Sequence, residues 1–143
     1  MNQLEIIKDF FDKKGIKNKL VKVSNSEIQL TFTYDGFWNA YIKESAGTNF
    51  ITVYKGIFKI RKDAKCEVCK IINEINGWAS KYAYASFNCL DEKDGTVVFA
   101  NYSLPQLKYG FTKALEQALE SFFGDIEEAF FNELAQIEKY KIF

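Results

Sequence analysis

The sequence contains no histidine in 143 residues. That zero removes every catalytic dyad or triad built on an imidazole base, and every metal site that needs an imidazole ligand. Proline occurs once, and the eight glycines stand singly, so there is no phosphate-cradling glycine loop and no Pro-rich linker. The Gly-x-Ser-x-Gly elbow of α/β-hydrolases is also missing. No apolar run approaches the ~20 residues that span a bilayer. The chain starts Met1-Asn2-Gln3-Leu4-Glu5, without the basic and then apolar pattern of a secretory signal. Three cysteines and no export signal suit a reducing cytoplasm. The 19 basic side chains are matched by 19 acidic ones, which argues against nucleic acid as a partner, since phosphate binding needs a basic excess.

Charged residues at 27% and apolar residues at 48% are the proportions of an ordinary globular chain. Its length suits a single domain over residues 1–143. The charge balance conceals an asymmetry: residues 1–65 carry 12 basic and 7 acidic groups, and residues 66–143 carry 7 and 12. Lys8, Lys13, Lys14, Lys17, Lys19 and Lys22 dominate the first half; Glu116, Glu120, Asp125, Glu127, Glu128, Glu133 and Glu138 dominate the second. Such polarity is either two solvated faces or a device that steers one protomer onto another or onto a polarised partner.

Apolar periodicity then divides the chain into elements. Leu4, Ile7, Phe10 and Phe11 recur at helical spacing, predicting a helix over 2–14 with Gly15 as its C-terminal cap. In residues 27–34 every second residue is apolar, so Ile28, Leu30, Phe32 and Tyr34 line one face of a strand. Asp35-Gly36 predicts a hairpin, followed by strands at 37–45 and 49–54 joined through Ala46-Gly47-Thr48. Gly56 interrupts before Ile57-Phe58-Lys59-Ile60, either as a bulge in an extended strand or as a break before a short fourth one. Asp63 is placed to cap a helix that runs to Lys81, with Ala64, Val68, Ile71, Ile72, Ile75, Ala79 and Tyr82 on its apolar stripe. A second hairpin at 83–90 and 96–103 turns at residues 91–95, and Pro105 ends it. From Phe111 to Ile137 the pattern is helical again. Gly124-Asp125 leaves open whether that helix is continuous; Asp125 with Glu128 has capping-box spacing. The order is α-β-β-β-α-β-β-α: an α+β fold with an antiparallel sheet.

The chemical motifs are weak. Cys66-Glu67-Val68-Cys69 is a CxxC at the start of a helix, but its neighbours are hairpins and not the βαβ context of thioredoxin-like sites. Cys66 points away from the apolar stripe and Cys69 lies at its flank. Cys89 adds only a third thiol, short of the four ligands of structural zinc. Asp91-x-x-Asp94-Gly95 lacks the Glu of an EF-hand loop at its twelfth position, where Tyr102 stands. Carboxylate pairs such as Glu116 with Glu120 and Glu127 with Glu128 suit a solvated helix face. No cofactor, no metal and no catalytic residue is expected, and the chain reads as a non-enzyme.

Aromatic residues are the unusual quantity: 24 of 143. Alternation that is clean at 27–34 gives way to strands apolar on both faces. Trp38, Ala40 and Ile42 oppose Phe37 and Tyr41, and Ile51 and Val53 oppose Phe50, Thr52 and Tyr54. Either helices cover both faces or an aromatic face meets a partner. The candidate partner-binding residues are therefore Phe37, Trp38, Tyr41, Phe50 and Tyr54.

The element order, with Ile72-Asn73-Glu74-Ile75-Asn76, Phe87, Asp94-Gly95, Val97 and Leu104-Pro105, resembles the YbjN family, whose fold is like that of type III secretion chaperones. The resemblance implies an α+β domain that binds proteins, often as a homodimer, with no catalytic residues. It also implies that Asn73 and Asn76 support the junction between helix and strand and hold no ligand. The expected function is a cytoplasmic chaperone-like or regulatory module that holds a partner or client protein through an aromatic sheet face. An immunity-type protein that neutralises a toxin by surface complementarity is the alternative.

Overall fold

The computed structural model describes residues 3–44, 51–77, 82–104 and 111–142. Helix α1 (Gln3–Lys14) is followed by strands β1 (Asn18–Lys22), β2 (Ile28–Tyr34), β3 (Trp38–Glu44) and β4 (Ile51–Ile60). Helix α2 (Lys65–Ile75), strands β5 (Ser86–Glu92) and β6 (Gly95–Leu104) and helix α3 (Phe111–Phe131) complete the chain, with short 3₁₀ turns before α2 and after α3. This is the expected α+β order, with one additional strand, β1, ahead of the three foreseen. The six strands form one sheet in the order β1-β2-β3-β4-β6-β5. The β1–β2, β2–β3, β3–β4 and β5–β6 ladders are antiparallel. Thr52 meets Ser103 near one end of the β4–β6 pair and Ile60 approaches Gly95 at the other, so this pair is antiparallel too. The chain divides into two compact units, Met1–Lys55 with Ser103–Ala118 and Gly56–Tyr102 with Leu119–Phe143.

In the first unit, Leu4, Ile7 and Phe11 recur at intervals of three and four, and all are buried. Phe11 lies against Phe32 of β2, with ring centroids 4.9 Å apart. Leu30, Ile42 and Val53 are register neighbours across β2, β3 and β4 and form the buried row beside it. Helix α1 stops at Gly15, whose φ of 74° needs no Cβ. The Ile16 N–H donates to the Phe11 carbonyl and the Gly15 N–H to that of Asp12, the paired bonds of a Schellman cap. At the β2–β3 turn Asp35 and Gly36 are both left-handed (φ 56° and 69°), as a type I′ turn requires. The ladder closes at Tyr34 and Trp38, so Phe37 belongs to the turn and not to the strand predicted to begin there.

Strand β4 runs unbroken through Gly56. Its buried apolar residues are Ile51 and Val53 before the glycine and Phe58 and Ile60 after it. The buried positions change from odd to even across it, and the unbroken strand excludes a separate short fourth segment.

In the second unit, Val68, Ile72 and Ile75 of α2, Phe87 of β5 and Val98 and Ala100 of β6 are buried. The helix is shorter than predicted. Asp63 lies in the 3₁₀ turn Lys62–Ala64 and pairs with Arg61 (3.5 Å), and Ala64 stands at the cap without a side-chain bond. At the other end α2 stops at Ile75, and the side chain of Asn76, at the C-cap, accepts from the Phe87 N–H (3.0 Å) and donates to the Phe87 carbonyl. Tyr82, on the extrapolated stripe, is buried outside the helix and donates its hydroxyl to Glu133 (2.6 Å). Its burial and that bond push its pKa up to about 12. Ala79 lies outside the described residues, as do the 46–48 turn and Pro105. The second hairpin is tighter than expected: Glu92 pairs with Gly95 around Lys93-Asp94. A Cβ on Gly95 would fall 2.8 Å from the Ile60 carbonyl oxygen, so only glycine lets β6 begin this close to β4.

Helix α3 passes through Gly124 without a break and ends at Phe131, short of the predicted Ile137. Leu134 and Ile137 are buried in the 3₁₀ turns that follow. Asp125 sits inside the helix and caps nothing there. It accepts the backbone N–H groups of Tyr84 (2.9 Å) and Ala85 (3.2 Å).

Phe11→Ala empties a fully enclosed site and should cost about 3–5 kcal/mol. Phe131→Ala, at a residue 82% exposed, should stay within about 0.5 kcal/mol. Urea denaturation of the two variants measures the difference; equal losses would show that the α1–β2 contact is not a core contact.

Candidate partner-binding face

A strand presents alternate side chains to opposite sides. Because Leu30, Ile42 and Val53 face α1, the residues between them face away from it. Thr31, Tyr41 and Tyr54 form one outward row by register, continued by Lys19 of β1. Val21, Gln29, Lys43 and Thr52 form the next, in which Thr52 is buried. Tyr41 and Tyr54 stack with ring centroids 5.1 Å apart and planes 15° from parallel, and both are half-buried. Lys43 holds its ammonium 5.1 Å from the Tyr54 centroid and 3.0 Å from Glu27 Oε1. Thr52 and Ser103 share a hydroxyl hydrogen bond of 3.1 Å.

Beside the stack lies a shallow groove of about 450 Å³, lined by Lys17, Lys19, Thr31, Thr33, Asn39 and Tyr41 among others. The Thr31 hydroxyl donates to the Lys19 carbonyl (3.1 Å) and that of Thr33 to Asn39 Oδ1 (2.9 Å). Three lysines of α1 are engaged within the unit: Lys8 with Asp12 (3.4 Å), Lys13 with Asp9 (3.0 Å) and Lys14 with Glu116 (3.7 Å). No ion pair among the described residues engages Lys17, Lys19 or Lys22.

Four of the five candidate residues separate into two pairs. Tyr41 and Tyr54 come together on the outward row. Trp38 is on the opposite side of β3, in the row of Ala40 and Ile42, and Phe37 packs edge-on against it at 5.1 Å. Phe37 is 74% exposed, and the Lys55 ammonium lies 5.9 Å from the Trp38 centroid. Burial lowers the pKa of Lys55. Phe50 lies outside the described residues. Sequence reasoning missed Lys43, Glu27 and the groove. Lys17 and Lys19 were visible only as part of a basic cluster, because β1 has too few apolar residues to announce itself as a strand.

Hydroxyl, amide, ammonium and phenol groups line this face, which can recognise a partner by stacking, hydrogen bonding and charge. Among the described residues no three His, Cys, Asp or Glu side chains converge as metal ligands would. Burial raises the pKa of Tyr41, opposed by the charge of Lys43. Tyr41 keeps its proton at neutral pH, beside the Lys43 cation.

Among solved structures, YbjN from E. coli matches this chain with a TM-score of 0.60 over 90% of this chain and 91% of that one. The fold is YbjN-like. Sequence identity to YbjN is 16%, and YbjN is described provisionally as a transcription regulator. No family model matches the chain, nor does any curated protein. Within the YbjN-like fold, Asn76 joins α2 to Phe87 of β5, the helix-to-strand support implied by the sequence resemblance.

Lys43 has its pKa raised above the ordinary 10.5, chiefly by the hydrogen bond to Glu27 and against the opposing effect of burial. Its stabilisation is present below pH 10.5 and is lost as pH climbs through the folded-state value. Glu27→Gln should cost no more than about 1 kcal/mol at pH 7 and flatten the alkaline fall in stability. Denaturation midpoints measured against pH check this; an alkaline limb identical to wild type refutes the coupling.

Proposed function

We propose that this chain is a non-enzymatic protein-binding module, chaperone-like or regulatory, that holds a partner protein on the outward face of β2, β3 and β4. The observation that carries the reading is the Tyr41–Tyr54 stack, half-exposed and flanked by Lys43 and the lysine-lined groove. Stacked tyrosines offer a large, rigid and amphipathic surface that loses little side-chain entropy on binding. Lys17 and Lys19 select for carboxylates, so the fitting partner carries an apolar or aromatic side chain beside acidic residues. The zero net charge of the chain favours a protein over a nucleic acid. A regulatory role acting through protein contacts also agrees with the provisional description of YbjN. We propose further that the module acts in the cytoplasm, as its cysteine usage suggests, and as a homodimer, as the resemblance implies.

Co-purification from the source organism tests the reading when wild type, Tyr41→Ala/Tyr54→Ala and Lys93→Ala are compared by quantitative mass spectrometry. Loss of an aromatic anchor costs about 2 kcal/mol, roughly thirtyfold in Kd. The double variant should therefore lose a partner that Lys93→Ala retains, and retention should fall as salt is raised. Equal recovery by all three proteins rejects the face as the binding site.

A further inference from the structure

The CxxC of the sequence directs attention to Cys66 and Cys69, yet the fold gives Cys69 a different neighbour. Helix α2 lies against β5 through successive contacts along both elements. Lys65, at the start of the helix, bonds Asp91 Oδ2 at 2.7 Å. Asn76, just past its end, holds both backbone groups of Phe87. Between these contacts Cys69 lies four residues beyond Lys65, and Cys89 lies two before Asp91. Four helical residues advance about 6 Å and two strand residues about 6.7 Å, so the two steps keep pace. That places Cys69 alongside Cys89, both half-buried, while Cys66 faces solvent.

We propose that Cys69 and Cys89 form an oxidisable pair that closes into a disulfide between α2 and β5 on reaction with a low-molecular-weight disulfide of the glutathione class. Two exchanges complete the chemistry. The Cys69 thiolate attacks one sulfur of the small disulfide, forming a mixed disulfide and releasing one small thiol, which carries away the proton. The Cys89 sulfur then attacks Cys69 Sγ. The protein disulfide forms, the mixed disulfide breaks, and the second small thiol leaves with the Cys89 proton. The protein gives up two electrons and two protons, and the small disulfide is reduced to two thiols. Burial, and then the neighbouring Cys69, raise the pKa of the Cys89 thiol, which disfavours Cys89 as the first attacker. Disulfides of this kind in reducing compartments are transient and regulatory, and closure here fixes α2 on the strand at the end of the sheet. The proposal does not depend on the function proposed for the tyrosine face.

Oxidised glutathione added to the purified full chain, followed by alkylation, non-reducing digestion and mass spectrometry, tests the pair. Peptides bearing Cys69 and Cys89 should be recovered joined, lighter by two hydrogens, while Cys66 remains alkylated. The Cys66→Ser variant should keep the cross-link, and Cys89→Ser should yield only glutathione adducts. In wild type, amides of α2 should exchange hydrogen more slowly after oxidation. A Cys66–Cys69 cross-link as the main product, adducts without a cross-link, or three alkylated thiols would each overturn the proposal.

Discussion

The two-sidedness of a β-strand governs the first unit of this protein. Burying Leu30, Ile42 and Val53 against α1 commits Thr31, Tyr41, Lys43 and Tyr54 to the other side, with no local choice left. Phe11 fixes that commitment by seating itself on Phe32. A one-residue slip of β3 would bring Tyr41 and Lys43 inward and turn Ile42 out. The cost of burying an ammonium without its partners makes the observed register the stable one. The outward tyrosine stack is thus a consequence of the core.

Chemistry on the outward rows follows from that placement. Register alone puts Tyr41 opposite Tyr54, and neighbouring strands ~4.8 Å apart set the spacing at which two rings stack. Lys43 is drawn to the edge of the stack by Glu27 on one side and the Tyr54 ring on the other. The result is a pre-ordered surface whose lysines 17 and 19 are left to face outward. The lysines of α1 are engaged by Asp9, Asp12 and Glu116. The basic excess of the first half of the sequence is in this way divided between folding and recognition.

Legibility in the sequence tracked the range of the interaction responsible. Period-two alternation in 28–34, the Asp35-Gly36 turn and the Gly15 cap are decided by neighbours in the chain, and all were readable. Continuity of the strand through Gly56 was readable as one of two possibilities, and pairing along the whole of β4 decides it. Strand β1 was hidden because its Leu20 is the one apolar side chain it turns toward the row of Leu30. The end of α2 was hidden for a related reason. The apolar stripe continues to Tyr82, but Asn76 stands at the C-cap with its side chain bonded to both backbone groups of Phe87, and Tyr82 bonds Glu133. Of the candidate site, the tyrosines were legible from alternation, while Lys43 and Glu27 became visible only once β2 and β3 were paired. Phe37 and Trp38 were grouped with them on composition, and the turn sends them elsewhere.

The cysteines show the same principle from the opposite side. Spacing in the chain makes Cys66 and Cys69 look like a pair because i and i+3 are neighbours on a helix. Packing of a helix on a strand imposes a different rule, in which four residues of one element match two of the other. Lys65 with Asp91 obeys it, and the same rule puts Cys69 level with Cys89 one step further along. Cys66 falls between steps and faces solvent. A thiol's partner here is set by the pitch of two different secondary structures, and a motif read within one of them names the wrong atom.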